Sequence, residues 1–123
     1  MICVRGATTT EKNERNDILQ ATKEMLECII VKNELELCDI IQIQFTMTKD
    51  LDAVYPAVAA REIGITEAAL MCTQELYVVG SLKKCIRCAV LCDVNKKQKQ
   101  ANHIYLQNAK VLRPDLTNKE KEQ

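Results

Sequence analysis

The sequence predicts an α/β domain of the two-layer α+β kind: one mixed β-sheet with helices on one face. Two observations predict it. Along the chain the hydrophobic period switches between about 3.6 and 2 in the order β-α-β-α-β-β-β. The 123 residues suit one core and are too few for two, and no internal repeat or long linker divides them. A single domain over 1–116 is therefore expected, followed by a polar, flexible tail over 117–123.

"MICVRGATTT" reads as an opening strand that ends in a threonine-rich turn. From about Glu14 to Val31, Ile18, Leu19, Thr22, Met25, Leu26, Ile29 and Ile30 recur at helical spacing, with charge on the other face. "DIIQIQFTMT" alternates Ile41, Ile43, Phe45 and Met47 with Gln42, Gln44 and Thr46, the pattern of a strand with one buried face. "YPAVAAREIG" predicts a short helix with Pro56 in its first turn and Gly64 at its end. "ALMCTQELYVVG" and "KCIRCAVLCDV" read as two strands joined near Gly80. After the polar loop "NKKQKQAN", "HIYLQNAKVL" reads as a last strand stopped by Pro114. A mainly apolar sheet with one helical layer suggests that oligomerisation buries its second face.

Composition removes several function classes. Seventeen basic residues balance seventeen acidic ones, so no global field draws the chain to nucleic acid or to an anionic membrane. Three tyrosines and one phenylalanine leave little for stacking on bases. The first residues lack the apolar stretch of a signal peptide, and no run approaches the ~18 apolar residues of a membrane span. The cytoplasm is the expected compartment.

Seven cysteines form an odd set without a secretory signal, which argues against a disulfide framework. Cys85 and Cys88 have the two-residue spacing of a zinc knuckle, but Ile86 and Arg87 between them are strand formers rather than turn formers. On a strand Cys88 and Cys92 share one face and Cys85 takes the other. The reading is packing, with no metal.

Charges inside apolar strands are more telling: Arg5 in "ICVRGA", Glu75 in "CTQELYVV" and Arg87 in "KCIRCAV". Each needs a partner or a ligand. An ion pair of Glu75 with Arg5 or Arg87 is one solution. Two arginines against one carboxylate leave positive charge over, and arginine grips carboxylate or phosphate bidentately, so an anionic ligand is the other. Cys72 and Glu75 lie three apart, which sends them to opposite faces of a regular strand. A ligand that used both would require a bulge or a site shared between chains. No acid–base dyad, nucleophile–histidine pair or glycine-rich phosphate loop is visible. His103, the single histidine, reads as a polar residue at a strand end.

Several segments in order, "VRGATT", "DLDAVYPAVAARE", "CTQEL", "GSLKKCIR" and "HIYLQNAKVLRPDL", give the chain a resemblance to the monofunctional AroH-type chorismate mutases, the small trimeric class typified by the Bacillus enzyme. The resemblance covers nearly the whole chain. It implies a two-layer fold assembled as a homotrimeric pseudo-α/β-barrel, with active sites at the subunit interfaces. The implied reaction is the pericyclic rearrangement of chorismate to prephenate in aromatic amino-acid biosynthesis, without cofactor or metal.

Carried over by position, the resemblance assigns Arg87, Glu75 and Arg5 to catalysis. Arg87 would face the ether oxygen and a carboxylate, and Glu75 with Cys72 would handle the ring hydroxyl from different subunits. Tyr105 would contact a carboxylate, Tyr55, Ala57 and Leu112 would line the pocket, and Arg61 and Arg113 would lie near its mouth. One position departs from the family pattern: where the family has lysine in "PAKA", this chain has Val58 in "PAVA". Val58 keeps alive a competing reading, a non-catalytic trimer that binds a small carboxylate as a sensor. An enamine or imine deaminase on a similar trimeric fold is a further alternative, but it leaves the joint occurrence of "CTQE" and "KKCIR" unexplained.

Overall fold

The structure, a computed structural model, describes residues 1–113. Its order is β1 (Ile2–Thr9), α1 (Arg15–Lys32), β2 (Ile40–Met47), α2 (Ala57–Glu62), β3 (Ala69–Gln74), β4 (Cys85–Cys92) and β5 (Ile104–Tyr105). Three 3₁₀ segments are interspersed, Leu37–Asp39, Gln98–Gln100 and Gln107–Leu112. The strands form one mixed sheet ordered β3-β2-β4-β1-β5, with β4 antiparallel to both its neighbours and the outer pairs parallel.

α1 forms because its apolar residues make one stripe: Ile18, Leu19, Thr22, Met25, Leu26 and Ile29 are buried. The Thr22 hydroxyl, inside that stripe, donates to the Ile18 carbonyl at 2.7 Å. The helix ends at a buried Asn33, whose amide nitrogen donates to the carbonyls of Ile29 and Asn102, both at 2.9 Å. Its amide oxygen accepts the Asn102 N–H at 2.8 Å. One side chain thus closes a helix and ties it to the loop before β5. α2 follows Pro56 and ends at Gly64, whose φ of 98° lies in the left-handed region that glycine adopts without a Cβ penalty.

Both helices lie on one face of the sheet. Ile2 and Val4 of β1, Ile43 and Phe45 of β2, and Ile86, Cys88, Val90 and Cys92 of β4 join the α1 stripe and Ala57 and Ala60 of α2 in one core. Gly6 belongs to this face as well. A Cβ there would stand 2.7 Å from Ile29 Cδ1, 3.0 Å from Cys88 Sγ and 3.1 Å from Met25 Cγ, so the missing side chain sets how closely α1 approaches β1.

Four expectations need correction. Thr8 and Thr9 belong to β1 and are buried, since both are β-branched and Thr9 still pairs with Cys85 across the ladder. The alternation in β2 slips at its start: a register shift between Ile40 and Gln42 turns Ile40 inward and leaves Ile41 exposed. β3 stops at Gln74, and Leu76, Tyr77, Val78 and Val79 are exposed in the connection to β4. The last predicted strand shrinks to Ile104–Tyr105. Gln107, at φ 52°, turns the chain into a 3₁₀ segment that packs Ala109 against Ala7 and Tyr105. Pro114 and the tail lie outside the described residues.

The cysteines of β4 fall as the strand period requires. Cys88 and Cys92 point into the core and Cys85 to the opposite face, all three buried. Cys88 Sγ stands 3.9 Å from Met25 Sδ. Burial pushes the Cys85 and Cys92 thiols up to about 11 and Cys88 to about 12. At neutral pH all three are protonated, and the thiol, unlike the thiolate, is a poor nucleophile.

Two outcomes are expected. Iodoacetamide at pH 7.5 should leave Cys85, Cys88 and Cys92 unmodified in the folded protein and alkylate them once it is unfolded, read by peptide mass. Gly6→Ala should lower stability by about 1–3 kcal/mol, the usual cost of overpacking a filled core, read as a shift of the urea midpoint at fixed protein concentration.

Candidate active site

The sheet face away from the helices carries the charges. Strand register sets them in two adjoining rows: Tyr105, Ala7, Arg87, Thr46 and Thr73 across five strands, then Arg5, Ala89, Gln44 and Met71 across four. Neighbouring strands lie ~4.8 Å apart, so Arg5 and Arg87 are close neighbours, with the small side chains of Ala7 and Ala89 beside them leaving room above the sheet. Arg5, Gln44, Thr46, Glu75, Arg87 and Tyr105 line a cleft of about 250 Å³ on this face.

Glu75 enters the cleft from just beyond β3. Its N–H donates to the Met47 carbonyl at 2.8 Å, so its backbone still follows β2 although the strand has ended. Its carboxylate accepts the Thr46 hydroxyl and stands 3.7 Å from Arg87 Nη1. The pairing with Arg87 is one of the two solutions the sequence left open. It leaves the charge of Arg5 over. The Arg87 side chain is 40% exposed, so the pair is open to solvent and adds little stability of its own.

Tyr105 is buried, and its phenolic oxygen has no hydrogen-bond partner among the described residues. A buried hydroxyl without a partner costs about 1–3 kcal/mol. At the rim of a cleft holding two guanidinium groups, it is a donor suited to an incoming anion.

The start of β4 is held from below. Asp50 accepts the Lys84 N–H through both carboxylate oxygens, at 3.2 and 3.0 Å, and the Thr48 hydroxyl accepts the Cys85 N–H at 3.0 Å. Lys84 has φ 49°, a left-handed conformation that these contacts stabilise. Arg87 is three residues on, and its backbone is fixed by β1 on one side and β2 on the other.

The remaining predicted residues divide. Cys72 pairs with Phe45 and faces the helix side, opposite to Glu75, as their spacing required. With Tyr55 and Val58 it lines a second, wider cleft of about 650 Å³, to which Arg15 and Lys49 add positive charge. Tyr55 is 71% exposed there. Arg61 is exposed on α2 and Ala57 is buried in the core, so neither lines the two clefts in a single chain. Leu112 packs on the Ala7, Tyr105 and Ala109 cluster, and Arg113 follows it. Among the described residues no group of three or more His, Cys, Asp or Glu is placed to hold a metal, and no helix is long and apolar enough to cross a membrane.

Sequence reasoning missed Gln44 and Thr46. The signal was present: they are the polar positions of an alternating strand, and the same register that buries Phe45 sets Thr46 beside Arg87.

Comparison with known proteins agrees with the fold just described. The family "Chorismate mutase type I" matches residues 1–116. Chorismate mutase AroH of Bacillus subtilis is 44% identical over 115 residues, spanning 93% of this chain and 91% of its own. Its namesake from Thermus thermophilus is 38% identical over 114 residues, 92% and 93% of the two chains. The solved chorismate mutase from Clostridium thermocellum superposes with a TM-score of 0.87 at 49% identity, over 89% of this chain and 97% of that one.

Proposed function

The chain belongs to the type I chorismate mutase family, and from that membership we propose that it rearranges chorismate to prephenate in a site completed between two subunits of a homotrimer. The charge surplus carries this reading. Arg5 and Arg87 face one carboxylate, Glu75, beside the unpartnered hydroxyl of Tyr105, an arrangement suited to a dicarboxylate.

The reaction moves no group between molecules. Within one molecule the ether C–O bond breaks while a C–C bond forms, so no nucleophile or proton carrier is required. Two things lower its barrier: holding the compact diaxial chair in which the reacting carbons meet, and stabilising the negative charge that grows on the ether oxygen. Arg5 and Tyr105 take carboxylates, which supplies orientation. Arg87 donates to the ether oxygen, an interaction stronger in the transition state than in the ground state. Glu75, fixed by the Thr46 hydroxyl, holds the guanidinium of Arg87 in place and meets the ring hydroxyl.

Magnitudes divide the work. Enzyme accelerations begin at about 10⁶-fold, or ~8 kcal/mol, whereas one preorganised donor aimed at developing charge contributes ~3–4 kcal/mol. Restraint of the chair supplies much of the remainder, which requires a closed site. A cleft of about 250 Å³ falls below the ~300–1,000 Å³ usual for small-molecule pockets. The wider cleft of Tyr55, Val58 and Cys72 supplies the missing wall from a neighbouring subunit. Arg61 and Arg113 lie near the mouth of the completed site, with Ala57 and Leu112 behind its walls.

Purified protein should consume chorismate and have a native mass of three chains; binding without turnover would revive the sensor reading. Arg87→Lys should lower kcat by about 10²–10³-fold with the trimer intact, because lysine keeps the charge and loses the planar fork. Near-parental kcat in that variant would overturn the role of Arg87. Val58→Lys should lower KM for chorismate more than it raises kcat, since a cation at the edge binds ground and transition states alike. An unchanged KM would mean that Val58 costs the site nothing.

A further inference from the structure

We propose that His103 is a positioning residue, whose Nδ1 accepts the backbone N–H of Arg5 and so sets the spacing between the two carboxylate grips Arg5 and Tyr105; this rests on the reaction proposed above. The distance is 2.9 Å.

The case begins with how little strand β5 supplies. Its two residues pair with Gly6 and Ala7, yet the outer edge of β1 presents polar backbone along its whole length. Side chains complete the edge. The Gln98 carboxamide accepts the Cys3 N–H at 2.8 Å and donates to the Cys3 carbonyl at 2.7 Å, as a strand residue would. Two residues on, His103 takes the Arg5 N–H, and after two more the Ala7 carbonyl accepts the Leu106 N–H at 2.9 Å. Farther along, the Thr9 hydroxyl accepts the Asn108 N–H at 3.2 Å. Cys3, Arg5 and Ala7 are alternate residues, so the contacts repeat with the period of a ladder.

Within this series His103 has a distinct place. It immediately precedes β5, two residues before Tyr105, and its partner is the backbone of Arg5. Both residues project into the same cleft. With the acceptor lost, the contact that precedes β5 goes and only the pairing of Ile104 and Tyr105 with Gly6 and Ala7 and the Leu106–Ala7 bond remain, so Tyr105 can shift relative to Arg5 by a fraction of an ångström.

The bond demands a particular imidazole: neutral, with its proton on Nε2 and Nδ1 free to accept. Burial first, then the charges of Arg5 and Arg113, hold the His103 pKa below its ordinary value of 6.5. The ring is therefore neutral at pH 7.5.

The experiment compares His103→Leu, similar in bulk but without an acceptor, with His103→Asn, whose Oδ1 can occupy the place of Nδ1. KM and kcat for chorismate are measured with the native mass, and the imidazole ¹⁵N shifts of the parent are read at pH 7.5. The leucine variant should raise KM about tenfold, the scale of one displaced charge-assisted hydrogen bond, and change kcat less than about threefold. The asparagine variant should restore KM to within about twofold. A residue that served only stability would give no such split. A parental KM in the leucine variant, or an asparagine variant as impaired as a folded leucine one, would overturn the proposal. If the leucine variant does not assemble, asparagine and the ¹⁵N shifts decide: a protonated Nδ1 in the parent defeats the clamp. A parent that leaves chorismate unchanged defeats instead the reading of the reaction, and the shifts still report whether the bond exists.

Discussion

Strand β4 can send each side chain to one of two places, and the rest of the molecule is arranged around that alternation. It is the central strand, paired along eight residues with β1 and nearly as many with β2. Ile86, Cys88, Val90 and Cys92 face the helices and are buried, whereas Arg87, Ala89 and Leu91 face away. A slip of one residue would drive Arg87 into the core and expose four apolar side chains. The burial of the core side chains, each worth about 1.5–3 kcal/mol, therefore also holds Arg87 on the functional face. Stability and chemistry depend on one register.

This dependence explains why an electrically neutral chain can bind an anion. The positive charge that matters is local: two guanidinium groups on adjacent rows above a sheet with a dry core beneath it. Thr46, Glu75 and Arg87 form a chain of contacts in which each group fixes the next. A solvated arginine would have to be ordered when substrate arrives, at a cost of up to ~2 kcal/mol in side-chain entropy. Here the Glu75 carboxylate, 3.7 Å from Nη1, offsets a part of that cost. The same carboxylate prevents Arg87 from binding any passing anion at full strength, which favours a ligand that also satisfies Tyr105 and Arg5.

How much of this was legible in the sequence follows from the range of the forces involved. Strands and helices whose residues repeat with a period declared themselves: α1, β2, β4 and the short α2 all lie near their expected bounds. The parity of Cys72 and Glu75 correctly separated their faces. What stayed hidden depends on partners distant in the chain. β3 ends at Gln74, just before Glu75 meets Arg87, and the apolar successors Leu76 to Val79 look like strand until the open loop is seen. The last ten predicted strand residues reduce to two because Gln98 and His103, remote from β1 in sequence, do the work of a strand with their side chains. No local pattern distinguishes such a histidine from any polar residue at a strand end. The slip at Ile41 is likewise a property of the pair β2–β4 and not of β2 alone.

The two clefts have a consequence for assembly. They lie on different faces of one subunit, the charged one on the open sheet and the other beside edge strand β3, so no motion within a compact chain brings them together. In the proposed trimer association does it, and by a heterologous contact, since the two surfaces differ. Such a contact either closes into a ring or grows without limit. The edge near β3 exposes Met71, Leu76 and Val79, the last two at least 80% exposed, together with Tyr55. These are surfaces a monomer would bury if it could. In the proposed trimer each subunit gives its β3 side to one neighbour and its open face to the other. Three closed contacts then make three equivalent sites. In that arrangement the apolar residues exposed on the single chain would shut water out of the charged cleft next door. Excluding water would strengthen every interaction that the proposed role gives Arg87 with the developing charge, so in that trimer the contact that assembles the subunits would also set the electrostatics of the reaction.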